Sequence, residues 1–260
     1  MDSREREGGR PDGPHGAAVI AEDFGLKGAR GWAFRHVRVD AAPGDVVAIE
    51  GPSGSGRTCL LLALTGRVRP TEGRAEVAGL SLPRAMAAVR RVSALGHVPG
   101  VSDLDPALTV AEHLRERALL QRRFGGSLGS LRPGSLRPGS RRATEARGHI
   151  DAALTAAGLD TSALPKGERT SARDLERLEA LRLSVALALI GRPRLLAVDD
   201  LDLKLSDADR AEAWRLLRSV AEDGTTVLAV CDQAPEDADT VIIRTNEEGA
   251  ADALAETGRA

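Results

Sequence analysis

Aromatic side chains make up only 2% of this 260-residue chain and tyrosine is absent, which leaves few faces on which unpaired nucleic-acid bases could stack. Charge of one sign is missing too. The 36 basic and 38 acidic residues give a formal net charge of -2, so no overall field draws the chain to nucleic acid or anionic lipid, and no nucleic-acid partner is expected. The two cysteines, Cys59 and Cys231, form neither a metal-ligand pair nor a disulfide framework and suit a reducing cytosol. No apolar stretch approaches the roughly 20 residues that cross a bilayer. The best, Leu183 to Ile190, is far shorter, so any membrane role has to come through a partner. Residues 1–16 are charged and rich in Gly and Pro, lack the apolar core of a secretion signal, and are expected to form a disordered tail.

What is present in abundance is glycine, and its most informative cluster is Gly51-Pro52-Ser53-Gly54-Ser55-Gly56-Arg57-Thr58. The apolar run Val46 to Ile49 precedes it and Leu60 to Leu64 follows it. This reads as strand, loop and helix, the layout that wraps backbone N–H groups around the phosphates of a nucleotide. Glycines let the backbone close on phosphate oxygens, and a helix starting near Arg57 adds unpaired donors and the positive end of its dipole. The Thr58 hydroxyl suits Mg²⁺, and Asp199, at the end of the apolar run Leu195 to Val198, suits holding that ion through water. One residue departs from the phosphate-loop pattern: Arg57 stands where Lys is wanted.

Along the chain, short β-like pieces occur at Ala18 to Ala21, Phe34 to Val39, Val46 to Ile49, Arg74 to Ala78 and Val92 to Val98. Turns at Pro43-Gly44-Asp45 and Pro70 to Gly73 separate the earlier ones. Helical spacing runs over Thr109 to Leu120, Thr144 to Ala157, Ala172 to Ile190 and about Asp207 to Glu222. Further strands are expected at Leu195 to Val198, Thr225 to Val230 and Thr240 to Ile243. This alternation argues for an α/β fold on a mainly parallel, doubly covered sheet. Residues 125–142 carry the tandem repeat Leu131 to Ser135 and Leu136 to Ser140 and read as a flexible basic insertion.

In its ordered segments the chain resembles the ATP-binding subunits of ABC transporters over about residues 18–245. The resemblance rests on Val39 to Gly51 with its Pro43-Gly44-Asp45 turn, the phosphate loop, Leu60 to Gly73 ending in Arg69-Pro70-Thr71-Glu72-Gly73, Leu104 to Val110, and Ala186 to Pro193 leading to Asp199. It implies a P-loop NTPase domain over 17–245 with an N-terminal antiparallel β-subdomain, a helical subdomain over about 103–185 and a C-terminal tail over 246–260. It also implies ATP and Mg²⁺ as ligands, a membrane-spanning partner subunit at the inner face of the membrane, and a homodimer or heterodimer of ATP-binding subunits. Gly51, Ser53, Gly54, Ser55, Gly56, Arg57, Thr58 and Cys59 would take the phosphates, with Thr58 and Asp199 on the metal. The family stacks an aromatic on adenine. Trp32, flanked by Gly31 in what reads as an exposed turn, is the choice for that position, while Trp214 reads as core and His97 as structural.

Several positions depart from the family's chemistry. Arg57 keeps the charge of Lys but replaces a compact ammonium with a planar fork. Val98-Pro99-Gly100 stands where the family has a Gln near the attacking water. The family's Leu-Ser-Gly-Gly-Gln signature, which serves the opposite subunit's γ-phosphate, falls on Leu175-Glu176-Arg177-Leu178-Glu179. Asp200 takes the place of the general-base Glu, one methylene shorter, and Asp232 that of a γ-phosphate-sensing His. Together they lead us to expect an ATP-binding subunit with weak or absent hydrolysis. The alternatives are a non-hydrolysing nucleotide-responsive regulatory module and, less supported by the segment order, a small-molecule kinase.

Overall fold

The computed structural model describes residues 15–29, 31–124, 139–202, 204–235 and 240–245. Residues 1–14 of the tail expected over 1–16, residues 125–138 of the insertion expected over 125–142 and the tail expected over 246–260 lie outside the described residues. Among those described, four strands form an antiparallel sheet and five a parallel one. The antiparallel sheet, in the order β2-β1-β4-β5, contains β1 (Val19–Gly28), β2 (Gly31–Ala41), β4 (Glu72–Val77) and β5 (Leu80–Leu82). The parallel sheet, in the order β6-β7-β8-β3-β9, contains β3 (Val46–Glu50), β6 (Ser93–Leu95), β7 (Leu195–Val198), β8 (Thr226–Cys231) and β9 (Thr240–Arg244).

Strand periodicity explains how one sheet serves two cores. Alternate residues face opposite sides. Val46, Ala48, Leu196, Val198, Val227 and Ala229 therefore join one buried cluster, while Val47, Ile49, Leu195, Ala197, Leu228 and Val230 join the other. The first cluster lies under α3 (Val110–Phe124), α4 (Gly139–Ala156), α5 (Arg177–Leu189) and α6 (Asp207–Glu222). The second is closed by the antiparallel sheet and by α1 (Arg57–Leu64) and α2 (Met86–Val92). Covered on both faces, β3, β7 and β8 are buried at every position, and their continuous apolar runs follow from that.

Local signals set most boundaries. Gly44 takes φ 91 between β2 and β3, where the Asp45 carboxylate accepts the Ala42 N–H at 2.7 Å. Ser206 caps α6 by accepting the Asp209 N–H at 3.1 Å, with Asp207 and Asp209 in the first turn, the arrangement that satisfies free amides and the dipole.

Other boundaries differ from the sequence reading. Residues 15 and 16 are not part of a tail: Arg194 donates to the carbonyls of His15 and Gly16, both at 2.9 Å. The strand expected over Val92 to Val98 shrinks to three residues because α2 runs to Val92. Only Val89 of α2 is buried, too little to produce a helical period. The helix expected from Ala172 instead begins at Arg177, preceded by single 3-10 turns at Thr161–Ala163, Gly167–Arg169 and Ala172–Asp174. Residues 139–142, placed in the insertion by the sequence reading, belong to α4.

Candidate nucleotide site

Because β7, β8, β3 and β9 run parallel as neighbours, their carboxyl ends come together at one edge of the sheet, where α/β folds place ligands. From the end of β3 the chain enters the glycine loop, and α1 begins at Arg57. Gly54 and Gly56 take φ 86 and 83, conformations that only glycine adopts without strain. A Cβ on Gly56 would lie 1.9 Å from the Ala33 carbonyl oxygen of β2, whereas one on Gly54 would meet nothing within 4 Å. One glycine is therefore dictated by close packing and the other by an open cradle.

The mouth of that cradle is lined by donors. The first intrahelical bond runs from Leu60 N–H to the Gly56 carbonyl at 2.9 Å, and no side chain caps the helix. The amides of Arg57, Thr58 and Cys59 are thus first-turn donors without helical acceptors, as an anion site requires. Ser55 has a different part. Its N–H bonds the Pro52 carbonyl at 3.1 Å, and its buried hydroxyl lies 2.6 Å from Thr245 Oγ1 beyond β9. It shapes the loop from below.

The Thr58 hydroxyl donates to Asp199 Oδ2 at 2.7 Å, and Asp199 Oδ1 accepts the Asp200 N–H at 2.9 Å. Asp199 is only 2% exposed. Burial raises its carboxyl above the ordinary range, and the bonds from Thr58 and Asp200 hold it back. A hydroxyl and a carboxylate are hard oxygen ligands that suit Mg²⁺, an ion that keeps several waters and takes few protein ligands. No group of three or more His, Cys, Asp or Glu is arranged as a metal cage among the described residues. The Cys59 thiol, beside the loop, is pushed up by burial and by Asp199, which keeps it protonated.

Arg57 and Asp232 meet. Arg57 Nη1 donates to Asp232 Oδ1 at 2.7 Å and to the Cys231 carbonyl at 2.8 Å, so Arg57 and Asp232 form one ion pair. Asp200 sits at φ 49 directly after Asp199, at the same edge.

Trp32 is not in an exposed turn. It lies in β2 paired with Lys27, which rests 5.6 Å from its ring centroid, and its ring packs over Gly25. The bulge at Ala33 that offsets the Leu26–Phe34 and Lys27–Trp32 pairs re-aims this stretch. It also places Trp32 next to the residue that touches Gly56.

Sequence reasoning missed four supporting residues. Glu50 is buried, accepts the Ala234 N–H at 2.8 Å and lies 3.2 Å from Arg244. A charge inside an apolar strand was its available signal. Thr245 and Asp202 carried none, since their roles come from distant chain segments. Arg177 Nη2 lies 3.0 Å from His97 Nε2, so His97 is structural with Arg177 as its neighbour. Burial first and Arg177 second lower its pKa, while Asp103, Asp200 and Asp199 pull upward. Because its pKa in the fold lies below the ordinary 6.5, the unfolded chain binds a proton first as pH falls, and stability is lost below that value. Denaturation at about pH 7.5 and about pH 5.5 is expected to show this loss, and His97→Gln to diminish it; an unchanged pH dependence in the variant overturns the assignment.

The ABC transporter family profile matches residues 34–201. The Nod factor export ATP-binding protein I of Burkholderia thailandensis is 33% identical over 188 residues, 72% of this chain and 53% of that protein. The chain belongs to the ABC transporter ATP-binding family. Another member, the daunorubicin resistance ATP-binding protein DrrA3 of Streptomyces coeruleorubidus, is 32% identical over 227 residues, covering 84% of this chain and 63% of the relative. The chain spans about half the length of the Nod factor export relatives it matches. Among solved ABC cassettes, cbiO1 from Clostridium perfringens, part of the ABC transporter complex cbiONQ, superposes with TM-score 0.68 at 17% identity, over 94% of this chain and 92% of that one. The dimeric bacterial cassette MJ0796 gives 0.62 at 22% identity, over 83% and 88%. These likenesses establish that the two-sheet ABC cassette fold is shared.

Proposed function

We propose that the chain is the ATP-binding subunit of an ABC-type transport system, coupling occupancy by ATP, with slow or no hydrolysis, to a membrane-spanning partner. The observation that carries this is the uncapped start of α1 behind an open glycine cradle, with Thr58 bonded to Asp199 beside it. Gly51, Ser53, Gly54, Ser55 and Gly56 shape and line the cradle, and the amides of Arg57, Thr58 and Cys59 hold phosphate oxygens. Trp32 offers a face to adenine. Thr58 and Asp199 hold Mg²⁺, which neutralises phosphate charge when bound.

Asp200 occupies the general-base position, but its shorter arm weakens its hold on a water. No helix among the described residues is long and apolar enough to cross a membrane. From its ABC family membership we place the chain at the cytoplasmic face of a membrane, held there by a partner. Residues 103–185, centred on α3 to α5, form the subdomain that docks there.

The regulatory alternative has its own support. At the start of α5 the Glu176 side chain accepts the Glu179 amide, and Glu179 accepts the Glu176 N–H at 2.8 Å. This capping box fills with two carboxylates the helix end where the family's signature offers donors to another subunit's phosphate. A second copy of this chain is therefore a poor partner, and a different ATP-binding subunit a better one.

Light scattering with Mg-ATP is expected to find no self-association, and the isolated chain to release phosphate slower than about 0.01 per second, against about 1 per second or more for ordinary enzymes. Brisk phosphate release, or an ATP-driven homodimer, overturns the reading. Binding to the membrane partner that is indifferent to nucleotide favours the regulatory module.

A further inference from the structure

Arg57 is the cation of the phosphate loop, yet it is already engaged. Its side chain is 11% exposed, and its Nη1 is shared between the Cys231 carbonyl at the end of β8 and Asp232 Oδ1. Charge-assisted bonds of this length are the strong kind. Asp232 is held for the purpose. Although its side chain is 78% exposed, its N–H donates to Asp202 Oδ2 at 2.7 Å, and Asp202, with a side chain 9% exposed, faces Arg210 Nε at 3.2 Å. The carboxylate on Arg57 therefore stands on a fixed backbone tied to a second ion pair.

We propose that Asp232 takes the place on Arg57 that a third phosphate would need, so that the site selects nucleoside diphosphates over triphosphates. The proposal rests on the nucleotide-site reading above and deepens it: ATP occupies the same site, but more weakly than ADP. The loop amides and the start of α1 are available to two phosphates with the Arg57–Asp232 pair intact. A third phosphate adds negative charge at an edge that already carries Asp199, Asp200 and Asp232. It must either displace Asp232 from the guanidinium or lie against the Asp232 carboxylate with Arg57 already engaged, and like charges brought together at a binding site oppose association. Arg57 sharpens the effect, because a planar guanidinium directed at a carbonyl and a carboxylate cannot be re-aimed as freely as an ammonium on a flexible stem.

The test is calorimetric titration of the full chain with Mg-ADP, Mg-ATP and the slowly hydrolysed imido analogue of ATP, on wild type, Asp232→Asn and Asp232→His. The wild type is expected to bind ADP about tenfold tighter than either triphosphate, and Asp232→Asn to bring the two classes within about threefold, chiefly by tightening the triphosphates. Asp232→His is expected to act in the same direction. Asn and neutral His each keep an acceptor for Arg57, which also retains the Cys231 carbonyl, so both variants should stay folded, which a thermal scan checks. Equal or tighter triphosphate binding by wild type, or a ratio unchanged in both variants, overturns the proposal while leaving the nucleotide site standing. Failure of every nucleotide to bind any of the proteins brings down the site itself and the proposal with it.

Discussion

Gly56→Ala is expected to abolish nucleotide binding and to destabilise the fold by about 2–5 kcal/mol, combining left-handed backbone strain with overpacking. The left-handed φ of 83 accounts for the smaller part. The larger comes from placing a methyl 1.9 Å from the Ala33 carbonyl oxygen and 2.6 Å from its carbon. Both are backbone atoms of β2 and cannot rotate away, so the loop has to lift off the strand and its amides lose their convergence. Gly54→Ala supplies the contrast. It has a similar φ but nothing within 4 Å, and is expected to cost about 1–2 kcal/mol. Urea denaturation of both variants, with nucleotide titration, separates packing from strain. Equal losses in the two would show that close approach to β2 is not what fixes Gly56.

Trp214→Ala is expected to cost about 3–5 kcal/mol, the range for deleting a large buried aromatic. Trp214 is 2% exposed in the cluster beneath α6, and α6 packs on β3 and β8, the strands that lead into the phosphate loop and Asp232. Trp214→Phe should cost much less, about 1–2 kcal/mol, because it keeps most of the apolar volume and removes a buried indole N–H that has no partner among the described residues. Chemical denaturation decides this. A Phe variant as unstable as the Ala variant would mean that the indole N–H is satisfied after all.

The legibility of this chain was uneven for physical reasons. The spans Leu195 to Val198 and Asp207 to Glu222 match the structure residue for residue. The first is a fully buried run bounded by turns, and the second carries a Ser cap and a long period. Where signals were short or depended on partners, the reading drifted. Val19–Gly28 extends well past Ala21 because its pairing with β2 continues, through register shifts, as far as Gly28 opposite Gly31. The start of α5 is set by two glutamates bonding across three residues.

The sequence by itself determined the phosphate loop, most of the strands and helices around it and the ABC family, because each is written in contiguous residues whose spacing and turn chemistry act locally, whereas β5 and α2 are too short to leave such a signal. Only the tertiary structure decided which partners the residues of the loop meet. Arg57 and Asp232 stand 175 positions apart, Thr58 and Asp199 141, and Ser55 and Thr245 190. They meet because parallel pairing brings the carboxyl ends of β7, β8, β3 and β9 to one edge of the sheet. Asp232, which along the chain reads only as a substitute at the place of a His, becomes at 2.7 Å from Arg57 one half of an ion pair, since the effect of a charge depends on its neighbours in space.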